Sequence, residues 1–173
     1  MALVTRLVTK EEVVDLEDPE ASREVIMLLA LNRLGSGEKF LGFLQGFGLK
    51  RWACGSTMCW DSVDMIIAGC DRQSMETVVG RLQEISGGAV YAIGNEVIAE
   101  FPAPLCGVVS LKPMEVLRKE IKKLEAALRD NGVVWERPLL TVDVLGTAAI
   151  PYLRITHNGY VRFKDRELLS VAV

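Results

Sequence analysis

Val25-Ile26-Met27-Leu28-Leu29-Ala30-Leu31 is apolar without a gap, and it restricts the fold more than any other segment. A membrane helix needs roughly 18–20 apolar residues, so this run is too short to span a bilayer. Its length suits a strand covered on both faces, or a buried helix. The glycine spacing downstream favours the strand. Gly35, Gly37, Gly42, Gly46 and Gly48 punctuate the next stretch, with Phe40, Phe43 and Phe47 between them. That is the pattern of strands and tight turns.

The same reading extends along the chain. Asp18-Pro19 can cap a short helix with proline at its first position. Arg51–Thr57 and Val63–Ala68 read as strands joined by the polar-edged Met58-Cys59-Trp60-Asp61-Ser62. Asp71 opens an amphipathic helix carrying Met75, Val78, Leu82 and Ile85 on one face, with Gly87-Gly88 as its stop. Ala89–Ile93 and Val97–Phe101 flank Gly94-Asn95, a suitable centre for a hairpin turn. Pro113–Asp130 is the clearest helix, with a stripe of Met114, Leu117, Ile121, Leu124 and Leu128 reading as core, and Asn131-Gly132 ends it. Glu115 with Lys119 and Glu125 with Arg129 support its exposed faces at i,i+4. Leu139–Leu145 and Tyr160–Phe163 read as further strands. Strands outnumber helices and hairpins join several of them. The expectation is one α+β domain over residues 1–173, a mixed α/β sandwich whose largely antiparallel or mixed sheet is packed by amphipathic helices.

Composition narrows the partners. The formal charge is −3, and the basic residues from Arg118 to Lys123 are interleaved with Glu115, Glu120 and Glu125. This gives no concentrated cation for nucleic acid. No run is long enough for a membrane span, and Met1–Lys10 lacks the apolar core of a secretory signal. Cys54, Cys59, Cys70 and Cys106 form no CxxC pair. A cytoplasmic protein with reduced thiols is expected.

Gly46-Phe47-Gly48-Leu49-Lys50-Arg51, Ser56-Thr57 and Asp61-Ser62 together resemble the C-terminal domain of adenine deaminase. The family's pattern there runs G-F-G-L-K-R-G-A-I-A-S-T, two residues, then H-D-S-H-N. Pro102-Ala103-Pro104-Leu105-Cys106-Gly107-Val108-Val109-Ser110 is similar to its L-P-L-P-I-A-G-L-M-S. Gly87-Gly88, Ile150-Pro151-Tyr152-Leu153 and Gly159-Tyr160-Val161 resemble later blocks, so the likeness is clearest over 25–163. The departures fall on polar positions. The family's two histidines correspond to Trp60 and Val63, and its asparagine to Asp64. Its R-H-G stands as Arg33-Leu34-Gly35, and its T-D as Thr156-His157.

What the resemblance implies is specific. The family's divalent metal centre belongs to a TIM-type barrel, which needs roughly 200 residues or more, so no cofactor is expected in this chain. Without the imidazoles, which suit proton transfer near neutral pH, the chain is expected to be inactive alone and to bind a purine-like or other small metabolite. The alternative is an accessory subunit of a split deaminase, closing over a separately encoded barrel that converts adenine to hypoxanthine and ammonia. A homodimer is a third possible association. The candidate pocket is Arg33, Ser56, Thr57, Trp60, Asp61, Ser62 and Asp64. Arg33 either clamps an anion or forms an ion pair, with Asp61 as one partner. Asp61 and Ser62 either line the pocket lip or cap a loop. Trp60 is expected to fill the space of a lost ligand. Cys59, Asp61, Asp64 and His157 are residue types that zinc accepts, but their spacing does not demand a site, and no metal ligands are assigned. His157, beside Asn158-Gly159, is expected on an exposed turn.

Overall fold

The apolar run becomes the middle of a sheet. In the computed structural model, which describes residues 1–48 and 51–171, it forms the strand Val25–Asn32, with Ile26, Leu28 and Ala30 buried on one side. Leu49 and Lys50 of the glycine-rich run lie outside the described residues. In chain order the elements are β1 (Ala2–Leu3), β2 (Thr9–Lys10), α1 (Pro19–Ser22), β3 (Val25–Asn32), β4 (Lys39–Gln45), β5 (Ala53–Ser56), β6 (Asp64–Gly69), α2 (Arg72–Glu84), β7 (Gly88–Ile93), β8 (Glu96–Pro102), α3 (Met114–Asp130), α4 (Pro138–Leu145), β9 (Leu153–Thr156), β10 (Gly159–Arg162) and β11 (Glu167–Leu169). The main sheet has eight strands in the order β2-β1-β4-β3-β6-β5-β7-β8. It is mixed, because β1 and β4 run parallel while the other neighbours are antiparallel. A second, three-stranded antiparallel sheet is ordered β11-β10-β9. The expected α+β class is borne out.

Strand alternation divides the core into two layers. On one face Ala53, Met65, Ile67, Val90 and Ala92 pack against Met75, Val78 and Leu82 of α2. On the other, Leu28, Ala30, Cys54, Ile66, Ala68 and Tyr91 pack with Leu124 and Leu128 of α3, Val142 and Leu145 of α4, and the second sheet. Tyr160 ties that sheet down: its hydroxyl donates to the Phe43 carbonyl at 2.8 Å and accepts from the Phe43 N–H at 2.6 Å. Only glycine fits beneath it, since a Cβ at Gly42 would stand 2.2 Å from the Tyr160 hydroxyl.

The helices correct three expectations. Leu139–Leu145 lies in α4, a helix beginning at Pro138 and buried at Leu139, Thr141, Val142, Asp143, Val144 and Leu145. A helix covered all round shows no amphipathic period, so its sequence reads like a buried strand. α2 begins as expected, with the Asp71 carboxylate accepting from the Ser74 N–H at 2.7 Å. Its stop comes one residue early, at Ser86, which takes the left-handed conformation (φ 60°). The N–H groups of Ser86 and Gly87 bond to the Gln83 and Leu82 carbonyls at 3.1 and 2.8 Å, closing a Schellman motif. On α3 the stripe packs on the core from Leu117 through Leu128, and Met114 alone departs from it, being 77% exposed.

Candidate functional site

Antiparallel pairing gathers the candidate residues at one end of the main sheet. Asn32 of β3 pairs with Asp64 of β6, Ser56 of β5 pairs with Ala89 of β7, and Gly88 pairs with Pro102 of β8. The loops leaving these positions carry Arg33, Thr57, Trp60, Asp61, Ser62 and the Ala103–Lys112 segment. Ser56 and Thr57 are adjacent, so the pleat sends their side chains to opposite faces. Arg33 and Thr57 belong to the α2 face. Ser56 and Asp64 belong to the other.

On the α2 face lies a cleft of about 470 Å³ lined by Arg33, Leu34, Thr57, Met65, Leu82, Pro104 and the Ser86-Gly87 and Cys106-Gly107 turns. The Thr57 hydroxyl donates to the Gly107 carbonyl at 2.6 Å and accepts from the Gly88 N–H at 2.8 Å, pinning the Ala103–Lys112 segment to the sheet. A Cβ at Gly87 would stand 2.5 Å from the Gly107 Cα, so the two turns meet only because residue 87 is glycine. Arg33 donates through Nη1 to the Cys106 carbonyl, while its Nε is buried without a partner. Arg33 forms no ion pair with Asp61; its guanidinium faces the cleft instead. Ser86 (φ 60°) and Cys106 (φ 53°), both non-glycine residues in the left-handed region, line the cleft beside the point where the two turns meet.

The other face holds a different chemistry. Ser56 accepts from the Met58 N–H at 3.1 Å and faces Asp143 of α4, whose burial pushes its carboxyl up to about 7. Ser62 donates to the Cys59 sulfur at 3.3 Å, and that thiol donates to Asp61 at 3.4 Å. Burial pushes the Cys59 thiol up, away from the reactive thiolate. Arg154, fully buried in β9, donates to the carbonyls of Ile150 (2.9 Å), Pro151 (3.0 Å) and Leu7. Its burial lowers the guanidinium to about 10. Trp60 is 65% exposed and fills no pocket.

Asp64 is fully enclosed, with its side chain 1% exposed, and it meets a residue expected on the surface. His157 is only 16% exposed; its backbone N–H and ring Nδ1 both reach Asp64 Oδ1, at 3.2 and 2.6 Å. The sheet thus brings together two positions far apart in sequence. The divalent centre implied by the resemblance does not fit here: among the described residues no three His, Cys, Asp or Glu side chains converge on a metal position. Cys59, Asp61, Asp64 and His157 form two separate hydrogen-bonded pairs. Asp143, His157 and the Ser86 turn are the features the sequence reading missed. Of these only Asp143 left a signal, as a lone carboxylate inside an apolar run.

Comparison with known proteins gives the family. A family model described as the adenine deaminase C-terminal domain matches residues 2–167. The chain belongs to the adenine deaminase C-terminal domain family. It is 36% identical over 152 residues to an adenine deaminase of Cereibacter sphaeroides (strain ATCC 17025 / ATH 2.4.3), covering 87% of this chain and 27% of that protein. It is 37% identical over 145 residues to an adenine deaminase of Brucella abortus (strain 2308), covering 83% and 25%. The chain therefore spans about a quarter of the length of these relatives. No helix among the described residues is long and apolar enough to cross a membrane.

Proposed function

We propose that this member of the family is catalytically silent on its own and binds a purine-like small molecule in the cleft on the α2 face. The observation that carries this reading is the Arg33 guanidinium, set in the cleft wall with its Nε unpartnered and with Leu34, Met65, Leu82 and Pro104 around it. A flat ligand with polar edges and apolar faces suits such a lining. Ser56, Asp61 and Asp64 lie on the other face, so the polar candidates this cleft offers a ligand are Arg33 and Thr57. Thermal-shift and calorimetric titration with adenine, hypoxanthine and guanine test it. Binding should occur, fall at least tenfold in Arg33→Ala, and survive Asp61→Ala. No response to any purine sinks the reading.

A second reading has its own observation. Leu34 (73% exposed), Trp60 (65%), Leu111 (73%) and Met114 (77%) leave apolar surface on the loops at this sheet end and at the start of α3. An accessory subunit would bury that surface against a separately encoded barrel from a split adenine deaminase. Co-purification with such a barrel, and ammonia release from adenine only in the mixture, would favour this role. A barrel fully active alone that leaves this chain unbound removes it.

A further inference from the structure

Arg33 differs from the other arginines that tie the surface together. Arg72, Arg81 and Arg162 each lie against a carboxylate, of Glu76, Glu100 and Glu11, at 2.7, 2.6 and 2.8 Å. Arg33 has no such neighbour among the described residues. A guanidinium carries five N–H donors, and this one makes a single bond, from Nη1 to the Cys106 carbonyl. Its Nε is buried without a partner, and Nη2 has none among the described residues. The fold nevertheless builds a seat for the group. A Cβ at Gly107 would overlap Arg33 Nη1, so the guanidinium lies against that turn only because residue 107 is glycine. The Thr57 hydroxyl, bonded to Gly107 and Gly88, holds the turn in place.

The rest of the lining leaves that charge uncompensated. Leu34, Met65, Leu82 and Pro104 are apolar, Gln83 and Ser86 are uncharged, and no Asp or Glu lines the cleft. A cation beside apolar walls gains most from a ligand of opposite charge, because a low dielectric strengthens the attraction. The chain's formal charge of −3 opposes anions at long range, so a preference for one arises locally, from Arg33. Its planar fork also favours two adjacent acceptors over a single point charge. We propose that the cleft selects purines in anionic form, the oxidised urate class, over neutral adenine and hypoxanthine, with Arg33 as the specificity-determining residue. This rests on the purine reading of the same cleft. A deprotonated purine oxide shares its negative charge between a ring nitrogen and the neighbouring oxygen. That edge matches the fork, and the flat faces suit the apolar walls.

The test is calorimetric titration of the full chain with urate, hypoxanthine and adenine at neutral pH, in low and in high salt. Urate is an anion there, whereas the other two are neutral. Urate should bind roughly tenfold more tightly than either, and added salt should weaken urate alone. Arg33→Gln should bring urate down to the affinity of hypoxanthine. Arg33→Lys, which keeps the charge and loses the fork, should retain part of the preference. The salt series needs no substitution, so it decides the matter even where an Arg33 variant fails to fold. Equal affinity for urate and hypoxanthine in the wild type overturns the proposal and leaves the purine reading standing. A urate preference that survives in folded Arg33→Gln, or that salt does not touch, overturns it equally. Silence with all three compounds removes the purine reading, and the proposal with it.

Discussion

The two faces of the main sheet are built on opposite terms. The α2 face is packed by Ala53, Met65, Ile67, Val78, Leu82 and Val90, and among the described residues its one buried polar atom without a partner is Arg33 Nε, at the sheet end. The α3–α4 face buries Ser56, Asp64 and Asp143, and leaves Asp64 Oδ2, Asp143 Oδ1 and the Tyr91 hydroxyl without partners. Burying a polar group without a hydrogen bond costs about 1–3 kcal/mol. The first face therefore supplies stability through packing, while the second gives some of it back. If this contrast holds, size should govern substitutions on the α2 face and charge state should govern those on the other.

The sharpest test on the apolar side is Leu82→Ala. Leu82 is 1% exposed, wedged between α2 and the sheet. Its truncation removes transfer free energy and leaves a cavity, with an expected loss of about 3–5 kcal/mol in denaturant unfolding. That loss should be nearly independent of pH, as no titratable group changes. A loss below about 1 kcal/mol would mean that this layer is loosely filled, and the contrast between the faces would fail.

Asp143→Asn tests the other side through its sign. Burial raises the Asp143 carboxyl from an ordinary 3.8 to about 7 in the fold. Below the lower value both folded and unfolded chains are protonated and the group is neutral in effect. Between the two values the unfolded chain ionises first, so folding takes up a proton and stability falls as pH rises. Above about 7 both states are ionised and the penalty is complete. Asparagine carries no charge at any of these pH values, so the variant should match wild type near pH 4 and exceed it by about 1–3 kcal/mol at pH 8. Glu125, raised chiefly by its own burial, adds a slope of the same sign to both proteins. The difference between their unfolding curves at pH 4, 6 and 8 reports Asp143 together with its repulsion from Glu125. A difference that stays constant with pH would show that Asp143 has found a partner.

These residues also show where sequence reading reaches. The strand of Val25–Asn32, the Gly94-Asn95 hairpin and the capped start of α2 are legible, because each depends on neighbours in the chain. The division of Ser56 from Thr57 is equally legible in principle, since adjacent strand residues cannot share a face. The α4 helix is not: complete burial erases the amphipathic period that marks a helix. The Asp64–His157 pair is not legible either, because it depends on a long-range contact between β6 and the turn before β10. A histidine beside Asn-Gly reads as surface until the sheet that covers it is in place.

The smallest effect tests whether the α2 face carries its own kind of defect, strained backbone in place of buried charge. Ser86 is exposed and left-handed at the end of α2, against the cleft. A residue with a Cβ in that conformation costs roughly 1–2 kcal/mol, and Ser86→Gly removes the strain. Glycine gives back about 0.4–1 kcal/mol through the freer unfolded chain. A net gain of about 0.5 kcal/mol remains, roughly 1–2 °C in Tm for a chain of this size. The cleft wall should not move, because the Ser86 and Gly87 N–H bonds to the Gln83 and Leu82 carbonyls do not involve the side chain. Purine titration of Ser86→Gly should therefore give the wild-type affinity. A tenfold loss would mean that the strained serine holds the wall in a shape glycine relaxes, and would place backbone strain among the determinants of binding.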